Sequence, residues 1–400
     1  MQLKIGKLIH VFIYRTQSLI LSAVACFACT ALPVVAEKHH PDVVFSGIAY
    51  LGNYSHIQQN YSYALNLNSL DKSLVSSQPR ALDKHFLKVI RDIKPQLFNL
   101  QFGLADLRKG QSIAMALAIE SESVSTEVIG TNRKIIVEAA AQLFFFDFAT
   151  MTLLANFPVN LATNHVVKKD IDYMVQLPQL FSDLYLGKDS NKGLLSLAAE
   201  VSKHASLDLS KTIRFQLEQV TTENKVQAVF PADLTVQRFN QFIGQYFSAR
   251  LANNYKIAVL PFTKGYAIGN QMAGRFANGN VFNLNLPPAD YTFALAVNDL
   301  IKAPYKDNVM YASRVGFSLT QKVSNKVYFN DLFQYAVPKL VTHTMTEIDD
   351  WSAYHDAIEV LIDDLIIQLG EPNKDWFKTH AKDKQAYKKF KIKQTLFTPQ

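Results

Sequence analysis

The chain has 400 residues, 48% of them apolar, with a formal net charge of +7. That length accommodates two ordinary domains with a core each, and argues against a small disulfide-rich module. The positive charge lies at the two ends of the chain, and what remains between them is too near neutral for a nucleic-acid binder.

Residues 1–36 read as a secretory signal peptide. Lys4, Lys7 and Arg15 form a basic leader, Ser18–Ala28 is an apolar run, and Val34-Val35-Ala36 supplies small residues before Glu37. The alternatives are an uncleaved inner-membrane anchor over Leu19–Ala36 and a lipidated Cys26. Both cysteines, Cys26 and Cys29, lie within this leader, so the mature protein folds without disulfides. Cleavage places the protein in the periplasm or outside the cell.

After a flexible start, Val43–Leu51 reads as a strand and Gly52–Pro79 as a long polar loop. Leu82, Phe86, Val89 and Ile93 recur at helical spacing, and Pro95 stops that helix. Leu97–Phe102 is a short strand. Ile113–Ile119 then alternates large and small residues strictly, putting Ile113, Met115, Leu117 and Ile119 on one face and Ala114, Ala116 and Ala118 on the other. Lys134–Phe146 and Met151–Phe157 read as a hairpin closed by Pro158. A helix follows from Asp170 to Tyr185, bent at Pro178 and ended by Gly187. Residues 188–210 form a linker with a short helix at Leu194–His204.

The second half repeats this order. Strands are expected at Thr212–Val220, Lys225–Phe230 and Tyr255–Phe262, with a helix capped by Asp233 that carries Val236, Phe239, Phe242, Ile243, Tyr246, Phe247 and Leu251. Thr263–Pro288 is a glycine-containing loop. Tyr291–Val297 copies the alternating strand, with Phe293 and Leu295 large and Ala294 and Ala296 small. Val309–Thr320 and Lys326–Val337 form a hairpin closed by Pro338, and a last core helix starts at Asp350. One rule explains both halves. The expectation is an α+β protein of two tandem αβ sandwich domains, each a mixed sheet with helices on one face. The boundaries are 37–187 and 211–372, with a basic tail at 373–400.

The run Ile257-Ala258-Val259-Leu260-Pro261-Phe262, with the alanine-rich strand and hairpin after it, resembles the N-terminal domain of the Tol-system translocation protein and the core of the curli-secretion lipoprotein. In that family the run precedes its helix, whereas here the helix comes first. The resemblance covers Lys225–Leu369 and, more faintly, Val43–Tyr185. It implies a non-catalytic module that docks onto other envelope proteins, and no site residue carries over.

No zinc-protease, phosphate-loop or nucleophile-elbow pattern occurs. His343 with Glu347, and His355 with Glu359, are each four apart and read as surface ion pairs; Glu120 and Glu122 read as a solvated strand end. Tyr266, Met272, Arg275 and Phe276 offer contact area for a partner at the tip of the glycine-containing loop, unless that loop folds back as an extra hairpin. No folding cofactor is expected. Cleavage after Ala36 would expose Glu37-Lys38-His39, whose amine, amides and imidazole suit Cu(II) or Ni(II). Lys374, Trp376, Phe377, Lys378, Lys388, Lys389, Phe390 and Lys391 interleave charge with rings, a pattern for an anionic membrane or wall surface, or simply a solvated helix end. The functional expectation is an exported envelope interaction or assembly factor without catalytic activity. Its rivals are an envelope-polymer hydrolase and a periplasmic small-ligand receptor using the inter-domain cleft. Partner identity and oligomeric state are not written in the sequence.

Overall fold

Alternation of large and small residues gives a strand two unlike faces, and both alternating stretches lie in strands at the middle of a sheet. The computed structural model describes residues 40–51, 57, 60–69, 81–101, 113–203, 205, 207, 213–232, 234–262, 267–268, 271–276, 281–305, 308–340, 350–390 and 394–397. The first half runs β1 (Asp42–Leu51), α1 (Ser62–Ser69), α2 (Ala81–Ile93), β2 (Asn99–Gln101), β3 (Ile113–Ile129), β4 (Asn132–Asp147), β5 (Thr152–Lys168), α3 (Leu177–Leu186), the small pair β6 (Gly187–Lys188) and β7 (Asn191–Lys192), and α4 (Leu194–Ser202). The second half runs β8 (Phe215–Thr222), α5 (Asn224–Gln227), α6 (Val236–Tyr255), β9 (Val259–Leu260), β10 (Ala267–Ile268), β11 (Gln271–Phe276), β12 (Val281–Asn285), β13 (Tyr291–Tyr305), β14 (Asn308–Gln321) and β15 (Lys326–Leu340). It ends with α7 (Asp350–Gly370), α8 (Lys374–His380) and α9 (Ala386–Lys389). The fold is α+β.

The two sheets share one plan. The order β2-β1-β3-β4-β5 recurs as β9-β8-β13-β14-β15, with the first two contacts parallel and the last two antiparallel in each. Their irregularities coincide as well. One unpaired residue interrupts the ladder at Ser46 and at Glu218, at Glu120 and at Asn298, and at Leu154 and at Tyr328. Each such bulge shifts the alternation of faces by one. Met115 and Phe293 therefore occupy the same place in the two sheets, and both are fully buried.

Helices cover the large face of each sheet. Met115, Leu117 and Ile119 pack with Leu82, Phe86 and Ile90 of α2, Phe181 and Leu184 of α3, and Leu194, Leu195 and Ala198 of α4. The helix expected in a linker is thus part of the first core. In the second sheet Phe293, Leu295 and Val297 meet Phe239, Ile243 and Phe247 of α6 and Ile358, Leu361 and Leu365 of α7.

The small faces differ. In the first sheet Ala114, Ala116 and Ala118, with Phe144 and Phe146, are covered by Leu260, Met272, Phe282, Leu284 and Leu286 of the second half. β11 pairs antiparallel with β1, and β12 pairs with β5 at Asn285–Thr152, so β1, β3, β4, β5, β12 and β11 close a hydrogen-bonded circuit around that core. In the second sheet Ala294 and Ala296 remain partly exposed beside Gly316 and Ser318. Where β4 puts Phe144 opposite Ala116, β14 puts Ser318 opposite Ala294.

Several local readings need correction. The stretch at 263–288 contains strands rather than one loop, because its residues complete the first sheet. Pro158 and Pro338 do not end their strands: among the described residues β15 lies at an edge and β5 pairs with β4 alone beyond Thr152, and edge positions tolerate the missing N–H. Pro178 stands in the first turn of α3 and starts that helix rather than bending it. Asn224–Gln227, within an expected strand, is a helical turn, and only Val259–Leu260 of Tyr255–Phe262 pairs in the sheet. Thr235 caps α6 by accepting from the Arg238 N–H at 3.3 Å; Asp233 lies outside the described residues.

Unequal cover makes one substitution behave in two ways. Ala116→Leu forces bulk under β11 and β12 and is expected to cost about 1–3 kcal/mol. Ala296→Leu, on the partly open face, is expected to stay within about 0.5 kcal/mol. Urea unfolding of the two variants measures the difference, and equal losses would contradict the unequal cover.

Candidate functional site

The small face of the first sheet changes character along its length. Beyond the alanines, the same side of β3 and β4 carries Ser121, Ser123, Glu127, Gln142, Glu138 and Lys134. Two helices of the second half supply what faces them. α6 packs on β8 with one side and on β5 with the other, so small and polar residues (Gln245, Ser248 and Ala252) are buried opposite its phenylalanines. α7 lies on β14 and β15. The result is a polar seam between the halves.

At the inner end, the Gln142 amide donates to Glu120, and Asn156 Nδ2 donates to Gln142 Oε1 at 2.6 Å and to the Val259 carbonyl at 2.7 Å. Ser121 Oγ donates to Gln245 Oε1 at 3.1 Å. At the outer end Lys339 is paired with Glu127, which also accepts from Ser352 Oγ at 2.9 Å. Arg250 Nε meets Asp363 Oδ1 at 3.1 Å, and the Tyr246 hydroxyl donates to Asp363 Oδ2 at 3.0 Å. Between the two ends, His355 Nδ1 and Glu359 Oε1 are 3.8 Å apart, with the His355 ring 4.5 Å from that of Phe242.

Glu120 and Glu122 are not a solvated strand end. The bulge at Glu120 changes the parity of β3, sending the two carboxylates to opposite sides. Glu120 is 3% exposed and turns into the seam. Glu122 turns to the helical side and accepts the Tyr63 and Ala64 N–H groups at 3.0 and 2.7 Å and the Tyr185 hydroxyl at 2.9 Å. It thereby caps α1, a helix standing where the sequence predicts loop.

Burial dominates the electrostatics. It pushes Glu120 up to about 7 against the opposing Gln142 and Gln245 contacts, and Glu138 up to about 7 against hydrogen bonds from Asn160 and Ser123. Glu359 rises to about 8 through burial first, then the charges of Glu138, Asp356 and Asp363. Burial, aided by Lys134, holds His355 down at about 4 and so neutral at physiological pH. His355, Asp356 and Glu359 each offer one ligand atom, all within 4.8 Å of one another. The arrangement can hold a proton or a cation between the halves.

The other predicted site residues fall elsewhere. Met272 is 1% exposed and Phe276 packs beside it in the core under the alanine face, because the loop folded back as strands. These two therefore pack against the chain's own first half. Arg275 is half-buried on β11. Trp376, Phe377 and Phe390 belong to the second core: Phe377 is 1% exposed, Trp376 donates to Asp364 Oδ2 at 3.0 Å, and the Phe390 ring lies 4.9 Å from Phe329. The lysines Lys374, Lys378, Lys382, Lys384 and Lys388 remain exposed, while Lys389 is tied to Asp383. Glu37, Lys38, His39, Tyr266, Lys391, His343 and Glu347 lie outside the described residues. Sequence reasoning missed the seam because Glu127, Glu138, Glu359 and Lys339 are far apart in the chain; the serine alternation Ser121-Ser123-Ser125 was its one local trace.

The pH dependence follows from Glu120 and Glu122, both raised to about 7 mainly by burial. Raised carboxyls contribute stability that is fully present below their unfolded value near 4.5 and lost as pH rises through about 7. Glu120→Gln removes its share, so its melting temperature at pH 8 is expected to exceed wild type by roughly 2–4 °C, with little difference at pH 4.5. Thermal melts at the two pH values check this.

No family model matches the chain, and no curated protein matches it significantly. Among solved structures it is similar to protein XCC0632 from Xanthomonas campestris, of the DUF330 family model, at 13% identity and a TM-score of 0.26, over 39% of this chain and 82% of that one. It is also similar to a minor lipoprotein from Acinetobacter baumannii, at 14% identity and a TM-score of 0.20, over 39% of this chain and 87% of that one. Superpositions this loose assign neither family nor activity.

Proposed function

We propose that the protein is an exported cell-envelope interaction or assembly factor that docks on an anionic envelope surface through its C-terminal lysines. The leader at residues 1–36 supports export, and among the described residues no helix is long and apolar enough to cross a membrane. The observation that carries the reading is how the tail is folded. All of its described rings but Tyr387, which is 39% exposed, are spent inward on the second core, with Phe377, Ala381, Ala386 and Phe397 buried. This leaves Lys374, Lys378, Lys382, Lys384 and Lys388 on a segment held in place by that core. Rings in a core cannot also anchor in lipid, so the contact is electrostatic, worth about 1 kcal/mol per lysine at an anionic surface and screened by salt.

The test is charge reversal, since deleting the tail would open the second core. The mature protein is expected to sediment with phosphatidylglycerol-containing vesicles at low salt and to release at high salt. Lys374→Glu, Lys378→Glu, Lys382→Glu and Lys388→Glu combined are expected to weaken binding at least tenfold. Undiminished binding by a folded quadruple variant would refute the reading.

A further inference from the structure

We propose that the seam binds one divalent transition-metal ion of the zinc class through His355, Asp356 and Glu359 of α7. The three groups come from one helix, at positions i, i+1 and i+4, and their ligand atoms lie within 4.8 Å of one another. The 3.8 Å between His355 Nδ1 and Glu359 Oε1 is too long for a hydrogen bond. It is within a small side-chain rotation of the ligand spacing, about 3.3 Å, implied by metal bonds of about 2.0–2.1 Å in a tetrahedral site. Imidazole with carboxylates is a donor set that zinc-class ions accept.

The balance of charge around the site favours a cation. Arg250 is committed to Asp363 and the Tyr246 hydroxyl, and Lys339 to Glu127. Lys134, near His355 and Asp356, works against it. Glu359 and, from the opposite half, Glu138 remain, two half-buried carboxylates whose charges repel. A divalent cation held by Glu359 offsets that repulsion. The alternative occupant is a shared proton.

Metal-free mature protein carrying His39→Ala, which silences the amino-terminal nitrogen site, is titrated with Zn²⁺ by calorimetry and melted with and without the ion. The expected result is one ion per chain and a raised melting temperature. Affinity should fall at least tenfold in His355→Ala and Glu359→Gln, with near-ultraviolet circular dichroism confirming that each variant is folded. No saturable binding by the folded parent, or unchanged affinity in His355→Ala and Glu359→Gln, overturns the proposal and leaves the proton as occupant. Either failure leaves vesicle docking by the tail unaffected.

Discussion

An alanine face at the middle of a sheet is too thin to form a core by itself, and the rest of this architecture follows from how that deficit is met. On β3 the alanines Ala114, Ala116 and Ala118 sit beside Phe144 and Phe146 of β4, and their cover comes from the other half of the chain. Close approach is what small residues permit. Gly274 of β11 repeats the logic, for a Cβ there would fall 2.4 Å from the Phe282 ring. Because the cover also pairs with β1 and β5, burying the alanines closes the first sheet and joins the halves in one step.

The equivalent face of the second sheet shows the other solution. Ser318 and Thr320 stand where β4 has Phe144 and Phe146, Gly316 where it has Gln142, and Ala294 and Ala296 stay partly exposed. The bulges show the same divergence from a shared plan. Asn298 accepts from the Gly316 N–H at 3.1 Å and closes its own irregularity locally. Glu120, at the matching position, reaches Gln142 and lies beside α6. A repeated backbone irregularity thus serves as a local brace in one half and as part of a joint in the other.

That joint is polar and mostly buried, so it stabilises less than an apolar one and responds more to conditions. Each buried carboxylate without a matching cation must hold a proton, find a metal or repel its neighbour. Glu120 and Glu138 have amide or hydroxyl partners, which soften the cost of burial without removing it. The exposed lysines of the tail are the opposite case: long side chains in water, supported by rings folded into a core beneath them.

The sequence alone determined the alternation of β3 and β13, the shared order of the two halves, the helices α2 and α7 and the α+β class, because period and spacing are local properties. Only the tertiary structure decided what covers each alanine face, since Ala116 and Ala296 look alike until the residues beside and above them are known. It also decided that Glu120 and Glu122 diverge, that α1 forms under the Glu122 carboxylate, and that Glu359 lies near enough to Glu138 for their charges to couple. A bulge inverts every later side chain without changing composition. A cap or cluster built from residues as far apart as Ala64 and Glu122, or Glu138 and Glu359, leaves no period to read.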